Sequence, residues 1–104
     1  MLRVKDYPRE IQVGDSIWAI KFVRNLGQTA TTITWGLCDP STQTISIRLG
    51  QTAKERLKTV LHELLHAIED EYGIEIPHGL IHKLEDPFAR FLIDNYFPAR
   101  SCVK

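Results

Sequence analysis

Residues 60–68 read VLHELLHAI and contain the pattern His-Glu-x-x-His from His62 to His66. Helical residues four apart lie on one face about one turn apart, so the imidazoles of His62 and His66 can bind a single zinc ion. Glu63 lies about 100° around the helix from His62, where its carboxylate can accept a proton from a metal-bound water. The segment therefore predicts a helix that carries a zinc site, with Glu63 as the general base.

An apolar stripe with helical spacing accompanies this motif. The motif residues themselves are predicted to occupy the neighbouring, more hydrophilic face of the helix. Thr52 and Glu55 match a capping box, and Gly73 fits the position after a helix end, so the helix is predicted to run from Thr52 to about Tyr72. The stripe consists of Leu57, Leu61, Leu64, Leu65 and Ile68.

Length and composition predict one globular domain over residues 1–104, because 104 residues with 43% hydrophobic side chains suffice for a single core. Thirteen basic and thirteen acidic residues cancel, so direct nucleic-acid binding is not expected. The first residues have no apolar signal region and no stretch approaches the length of a membrane span, so we expect a cytoplasmic protein without membrane contact. Cys38 and Cys102 have no metal-type spacing and are predicted to be free thiols.

The first half of the chain has the pattern of β-strands. Residues 11–13 and 17–23 flank Gly14-Asp15, which predicts a hairpin. Residues 31–37 are rich in β-branched and aromatic side chains and predict a further strand. Residues 44–49 alternate between apolar and polar and predict another.

The second half is predicted to be helical. A second helix should begin near His78, and Pro87 should either kink it or mark the start of a new helix with Asp86 as N-cap. Residues 97–104 have no periodicity and are predicted to form an irregular tail. Strands followed by helices indicate an α+β fold: a small twisted antiparallel or mixed sheet packed on the motif helix, plus a second C-terminal helix. The apolar side of that second helix is predicted to comprise Ile81, Leu84, Phe88, Phe91, Leu92 and Asn95.

A catalytic zinc usually has three protein ligands, so a third must come from beyond the motif. His78, His82 and Glu85 share one face of the second helix and are all candidates. A tight connection between the helices would bring Glu85 level with the two motif histidines. An extended connection over residues 74–77 would bring His78 there instead. The spacing alone leaves these alternatives open.

Three segments together resemble the small zincin-like metallopeptidases of bacteria and their phages, which are related to the ImmA/IrrE and SprT-like families. These segments are residues 44–47 (TISI), 62–68 (HELLHAI) and 92–95 (LIDN), and the resemblance covers residues 10–96. It implies a third zinc ligand, Glu or His, at the start of the next helix, and this position falls on His78, with Ile81 three residues later. The chain has His where many relatives have Glu, and Pro87 where a small residue is usual.

The resemblance implies a zinc-dependent metallopeptidase that hydrolyses peptide bonds of a protein or peptide substrate through a metal-activated water. It also implies that residues 44–49 form an edge strand that pairs with the extended substrate; the alternative is an ordinary half-buried strand. A second hypothesis is a catalytically inert zinc-binding module for partner recognition in a phage or DNA-maintenance context. Glu63 argues against that hypothesis, because metal binding needs only the histidines whereas hydrolysis needs the carboxylate.

Overall fold

A computed structural model describes residues 2–27 and 33–97. These residues form an α+β fold with a four-stranded mixed sheet and two helices, which confirms the predicted fold class. After a short 3-10 helix at Val4–Asp6, the elements are β1 (Glu10–Val13), β2 (Ser16–Val23), β3 (Gly36–Asp39), β4 (Thr44–Arg48), α1 (Ala53–Tyr72) and α2 (His78–Asn95).

The strand order in the sheet is β1-β2-β4-β3. The predicted hairpin is present: β1 and β2 are antiparallel, and Val13 lies opposite Ser16 across a turn in which Gly14 has a φ of 60°. β4 pairs with β2 in parallel and with β3 in antiparallel orientation. The prediction of an edge strand at residues 44–49 is therefore wrong, because β4 is an interior strand. Among the described residues, the edge beside α1 belongs to β3.

β3 differs from the strand predicted at residues 31–37. Residues 31 and 32 lie outside the described part of the chain, and the strand begins only at Gly36. Its length follows from its partner, because β4 ends at Arg48 and Gly50 then takes a φ of 96°. The carbonyl oxygen of Trp35 still accepts a hydrogen bond from the Arg48 amide, at 2.8 Å. Beyond this point β3 has no β4 residue to pair with.

α1 has the predicted ends. The Thr52 hydroxyl accepts a hydrogen bond from the Glu55 amide at 3.2 Å, and Gly73 takes the left-handed conformation with a φ of 62°. Val60 and Ala67 lie on one face and pack against the sheet, where they meet the buried side chains of β2 and β4. Those side chains are Trp18, Ile20, Ile45 and Ile47.

Glu71, near the end of α1, joins the helix to the start of β2. Its carboxylate accepts hydrogen bonds from the Ser16 hydroxyl at 2.9 Å and from the Trp18 indole N–H at 2.8 Å. The Gln43 amide donates a third bond to it, at 3.3 Å. Hydrogen bonds to a charged acceptor are stronger than neutral ones, so this contact fixes the position of α1 along the sheet.

α2 is one helix that contains Pro87, so the alternative of a new helix starting at Asp86 is wrong. Ile81 and Ala89 are its buried residues. Leu84, Phe88 and Phe91 were predicted to lie on the packed side, but they are exposed. The face of α2 that packs on α1 is centred on Ile81 and Ala89 and is therefore rotated from the predicted stripe.

Cys38 is a free thiol, as predicted, whereas Cys102 and most of the predicted tail lie outside the described residues. Within residues 2–27 and 33–97, neither helix combines the length and the apolar character needed to cross a bilayer.

Candidate metal centre

Three imidazole nitrogens converge between the two helices. The Nε2 atom of His62 lies 3.2 Å from Nε2 of His66 and 3.3 Å from Nε2 of His78. Nitrogen ligands in a tetrahedral zinc site lie about 2.0–2.1 Å from the metal and therefore about 3.3 Å from one another. The two separations at His62 are therefore close to those between neighbouring ligands of a tetrahedral site, and the donor atoms of all three histidines lie within 4.8 Å of one another.

The connection between the two helices places His78 beside His62 and His66. α1 ends at Tyr72, the following residues up to Pro77 have no regular structure, and His78 is the first residue of α2. The Glu69 carboxylate accepts a hydrogen bond from the Ile76 amide at 2.6 Å, which holds the connection against α1. The first residue of α2 therefore lies beside the motif.

Carboxylates hold the other nitrogens of the two motif histidines. Oε2 of Glu85 lies 2.8 Å from Nδ1 of His62, and Oε1 of Glu69 lies 2.7 Å from Nδ1 of His66. Each carboxylate accepts a hydrogen bond from Nδ1–H, which leaves the lone pair of a neutral ring on Nε2. Two Nε2 lone pairs that face each other cannot share a hydrogen bond, so the 3.2 Å approach of His62 and His66 leaves both nitrogens available to bind a cation. The donor set therefore fits zinc.

Glu69 supports this arrangement electrostatically as well as by geometry. The hydrogen bond from the Ile76 amide and the hydrogen bond from His66 lower the pKa of Glu69. A carboxylate that stays ionised is the better acceptor for an imidazole N–H. Sequence reasoning missed Glu69, although its position three residues after His66 is the spacing at which helical side chains meet.

The candidates His82 and Glu85 also lie beside His62. His82 is 61% exposed, and its Nδ1 lies 3.5 Å from Oε2 of Glu85. Its ring stacks on that of His78, with centroids 4.6 Å apart. His62, His82 and Glu85 form a second group whose donor atoms lie within 4.8 Å of one another, and in this group Glu85 lies at Nδ1 of His62. Of the candidates, His78 thus lies at Nε2 of His62, whereas Glu85 lies at Nδ1.

Glu63 is buried, contrary to its predicted place on a hydrophilic face. The residue is 7% exposed, and its carboxylate makes no hydrogen bond or ion pair with any described residue. It lies on the sheet-facing side of α1 because it is spaced three and four residues from Val60 and Ala67. Burial raises the pKa of Glu63, and the nearby His62 and His66 partly offset this.

Gly36 in β3 makes the room for that carboxylate. A Cβ atom at this position would lie 2.8 Å from Oε2 of Glu63 and 2.7 Å from Cγ2 of Thr59. Both distances are shorter than real Cβ atoms show, so a larger residue would have to displace both side chains or shift β3. Sequence reasoning missed Gly36, and no local pattern distinguishes it from the other glycines.

Two clefts open beside Glu63, and both also contact Gly36 and His62. The Trp35 cleft, of about 590 Å³, is lined on its outer side by Trp35, Glu55, His82 and Glu85. The Asp70 cleft, of about 540 Å³, is lined on its outer side by Leu37, Asp70, Ile74 and Glu75. A chain lying along β3 would cross from one cleft to the other past Glu63.

Comparison with protein-family models, with curated proteins and with solved structures finds no match for this chain.

Proposed function

We propose that this protein is a zinc-dependent peptidase that hydrolyses peptide bonds of a protein substrate. The observation that carries the proposal is the convergence of three imidazole Nε2 atoms beside the buried and unpartnered carboxylate of Glu63. Nε2 of His62 lies 3.2 Å from that of His66 and 3.3 Å from that of His78. A structural zinc site needs the converging histidines but not the nearby free carboxylate.

His62, His66 and His78 would hold the ion. Zinc in such a site polarises a carbonyl group and lowers the pKa of a bound water to about 7. Glu63 accepts a proton from the attacking water and delivers it to the leaving amine.

β3 supports the choice of an extended polypeptide as substrate. It is an edge strand of the described sheet and lies next to Glu63, and an unpaired strand edge can add an extended peptide through main-chain hydrogen bonds. The two clefts on either side of Glu63 would then receive side chains on either side of the bond to be cut.

The test combines zinc loading with cleavage of a peptide library. Wild-type protein should bind one zinc ion per chain and cleave library peptides, and Glu63→Gln should keep the zinc but lose about 10²-fold or more in rate. Glu10→Gln, an exposed carboxylate far from the clefts, is the matched control and should cleave normally. Zinc binding without any cleavage by wild-type protein would contradict the peptidase and favour the inert zinc-binding module.

A further inference from the structure

We propose that the Asp70 cleft binds a lysine or arginine side chain of the substrate, so that the enzyme acts on basic polypeptide segments. This inference rests on the proposed function and names the substrate class of the same site.

The described side chains that line the two clefts include carboxylates but no basic groups other than histidine. Neither cleft is lined by a lysine or an arginine of the described residues, although the whole chain has thirteen of each charge. The acidic character is therefore local to the site rather than a property of the protein. Clefts lined by one sign of charge concentrate ligands of the opposite sign. The carboxylates that line the clefts are those of Glu55, Glu63, Glu69, Asp70, Glu75 and Glu85.

The outer carboxylates of the two clefts differ in whether they have a hydrogen-bond or ion-pair partner. In the Trp35 cleft, Glu55 pairs with Lys58 at 3.7 Å and Glu85 holds His62. In the Asp70 cleft, Asp70 and Glu75 have no hydrogen bond or ion pair with any described residue. Among the described residues, the outer carboxylates without a protein partner therefore lie on one side of Glu63 only.

The Asp70 cleft also has apolar walls. Leu37 and Ile74 line it and are each 49% exposed, so they offer apolar surface beside the two carboxylates. Lysine and arginine have an apolar stem and a charged end, so the stem can pack on apolar surface while the charged end reaches a carboxylate. A metal ion is a poorer occupant, because neither Asp70 nor Glu75 belongs to a metal-capable group among the described residues.

A separate observation, which applies to both clefts, points to a ligand beside Glu63. Glu63 lines both, is more than nine-tenths buried, and has no partner among the described residues. Because this carboxylate has no partner, it is available to a polar group of a ligand that enters either cleft. A peptide lying along β3 places its scissile bond at Glu63 and a neighbouring side chain against Asp70 and Glu75.

The test measures binding rather than turnover. Zinc-loaded Glu63→Gln protein is titrated into fluorescein-labelled short peptide pools that have lysine or arginine, glutamine, or glutamate at the central positions, and the anisotropy is recorded. The basic pool should bind about 10-fold more tightly than the glutamine pool. Asp70→Asn/Glu75→Gln in the same background should remove most of that preference. Glu10→Gln/Asp94→Asn, which removes two exposed charges outside both clefts, should keep it.

Equal binding of the three pools, an unchanged preference in the Asp70→Asn/Glu75→Gln protein, or no measurable binding of any pool would each overturn the inference. Failure of the proposed function is recognised separately, because it is read from zinc loading and from the cleavage rates of wild-type and Glu63→Gln protein. Cleavage of library peptides without a preference for basic residues would leave the peptidase in place and contradict only the assignment of the Asp70 cleft.

Discussion

The carboxylate of Glu85 lies 2.8 Å from Nδ1 of His62, on the side of the imidazole ring opposite the converging Nε2 atoms. One ring thus contacts both groups that the sequence offered as a third ligand, since His78 approaches Nε2 at 3.3 Å. A carboxylate on Nδ1 fixes the tautomer and the orientation of a metal-binding histidine without binding the metal itself. The two candidates are therefore expected to affect zinc binding unequally.

We predict that His78→Ala lowers zinc affinity more than about 100-fold, because it removes a coordination bond. Glu85→Gln should lower the affinity about 10-fold or less, because the amide oxygen can still accept the bond from His62. Competition with a chromophoric chelator at fixed pH measures both. The reverse order would make Glu85 the third ligand, and two equally small effects would exclude both.

Gly36→Ala should separate metal binding from catalysis. The added methyl group would lie 2.8 Å from Oε2 of Glu63 and 2.7 Å from Cγ2 of Thr59, so both side chains or β3 must move, while no histidine atom is among its three nearest neighbours. We expect zinc affinity within about twofold of wild type and at least a 10-fold loss of library cleavage, comparable with the loss of a proton acceptor. Gly79→Ala is the control, because a Cβ there meets nothing within 4 Å. Normal cleavage by Gly36→Ala would mean that Glu63 does not need its observed position.

The parts of the fold that the sequence predicted are those specified by local signals. Thr52 and Gly73 mark the ends of α1 through their own backbone and side-chain chemistry, and Gly14 marks the hairpin. The length of β3 and the interior place of β4 were not predicted, because both depend on pairing between distant segments. Strand order is invisible in the periodicity of any single strand.

The candidate site divides in the same way. His62, Glu63 and His66 follow from one helical turn, so their proximity could be predicted from spacing. The roles of Glu69 and Gly36 could not, because they arise where the helix connection and the edge strand fold back onto α1. The choice between His78 and Glu85 likewise depended on the path of four residues that have no regular structure.

Tyr7→Phe is predicted to leave the free energy of unfolding unchanged or to raise it by up to about 1 kcal/mol. The Tyr7 hydroxyl is buried without a hydrogen-bond partner among the described residues, and burial raises its pKa to about 12. Removing an unsatisfied buried hydroxyl removes a desolvation cost, while the ring keeps its contact with Phe22 at 5.2 Å between centroids. Urea unfolding measures the change, with the exposed Tyr96→Phe as a control within about 0.5 kcal/mol of wild type. A loss above about 1 kcal/mol would show that the hydroxyl has a partner.

Cys38 should be an unreactive thiol at neutral pH. Its burial first, and then the nearby negative charge of Glu63, raise the pKa of the thiol to about 11. Because the thiolate is the nucleophile, only about one molecule in a thousand is reactive at pH 8. Alkylation by iodoacetamide, followed in a Cys102→Ser protein so that one thiol remains, should therefore be slow and should accelerate about 10-fold per pH unit up to pH 10. The same protein unfolded in urea should react as an ordinary cysteine. A rate that levels off near pH 9 in the folded protein would mean that Cys38 is more open to solvent than its contacts with the core indicate.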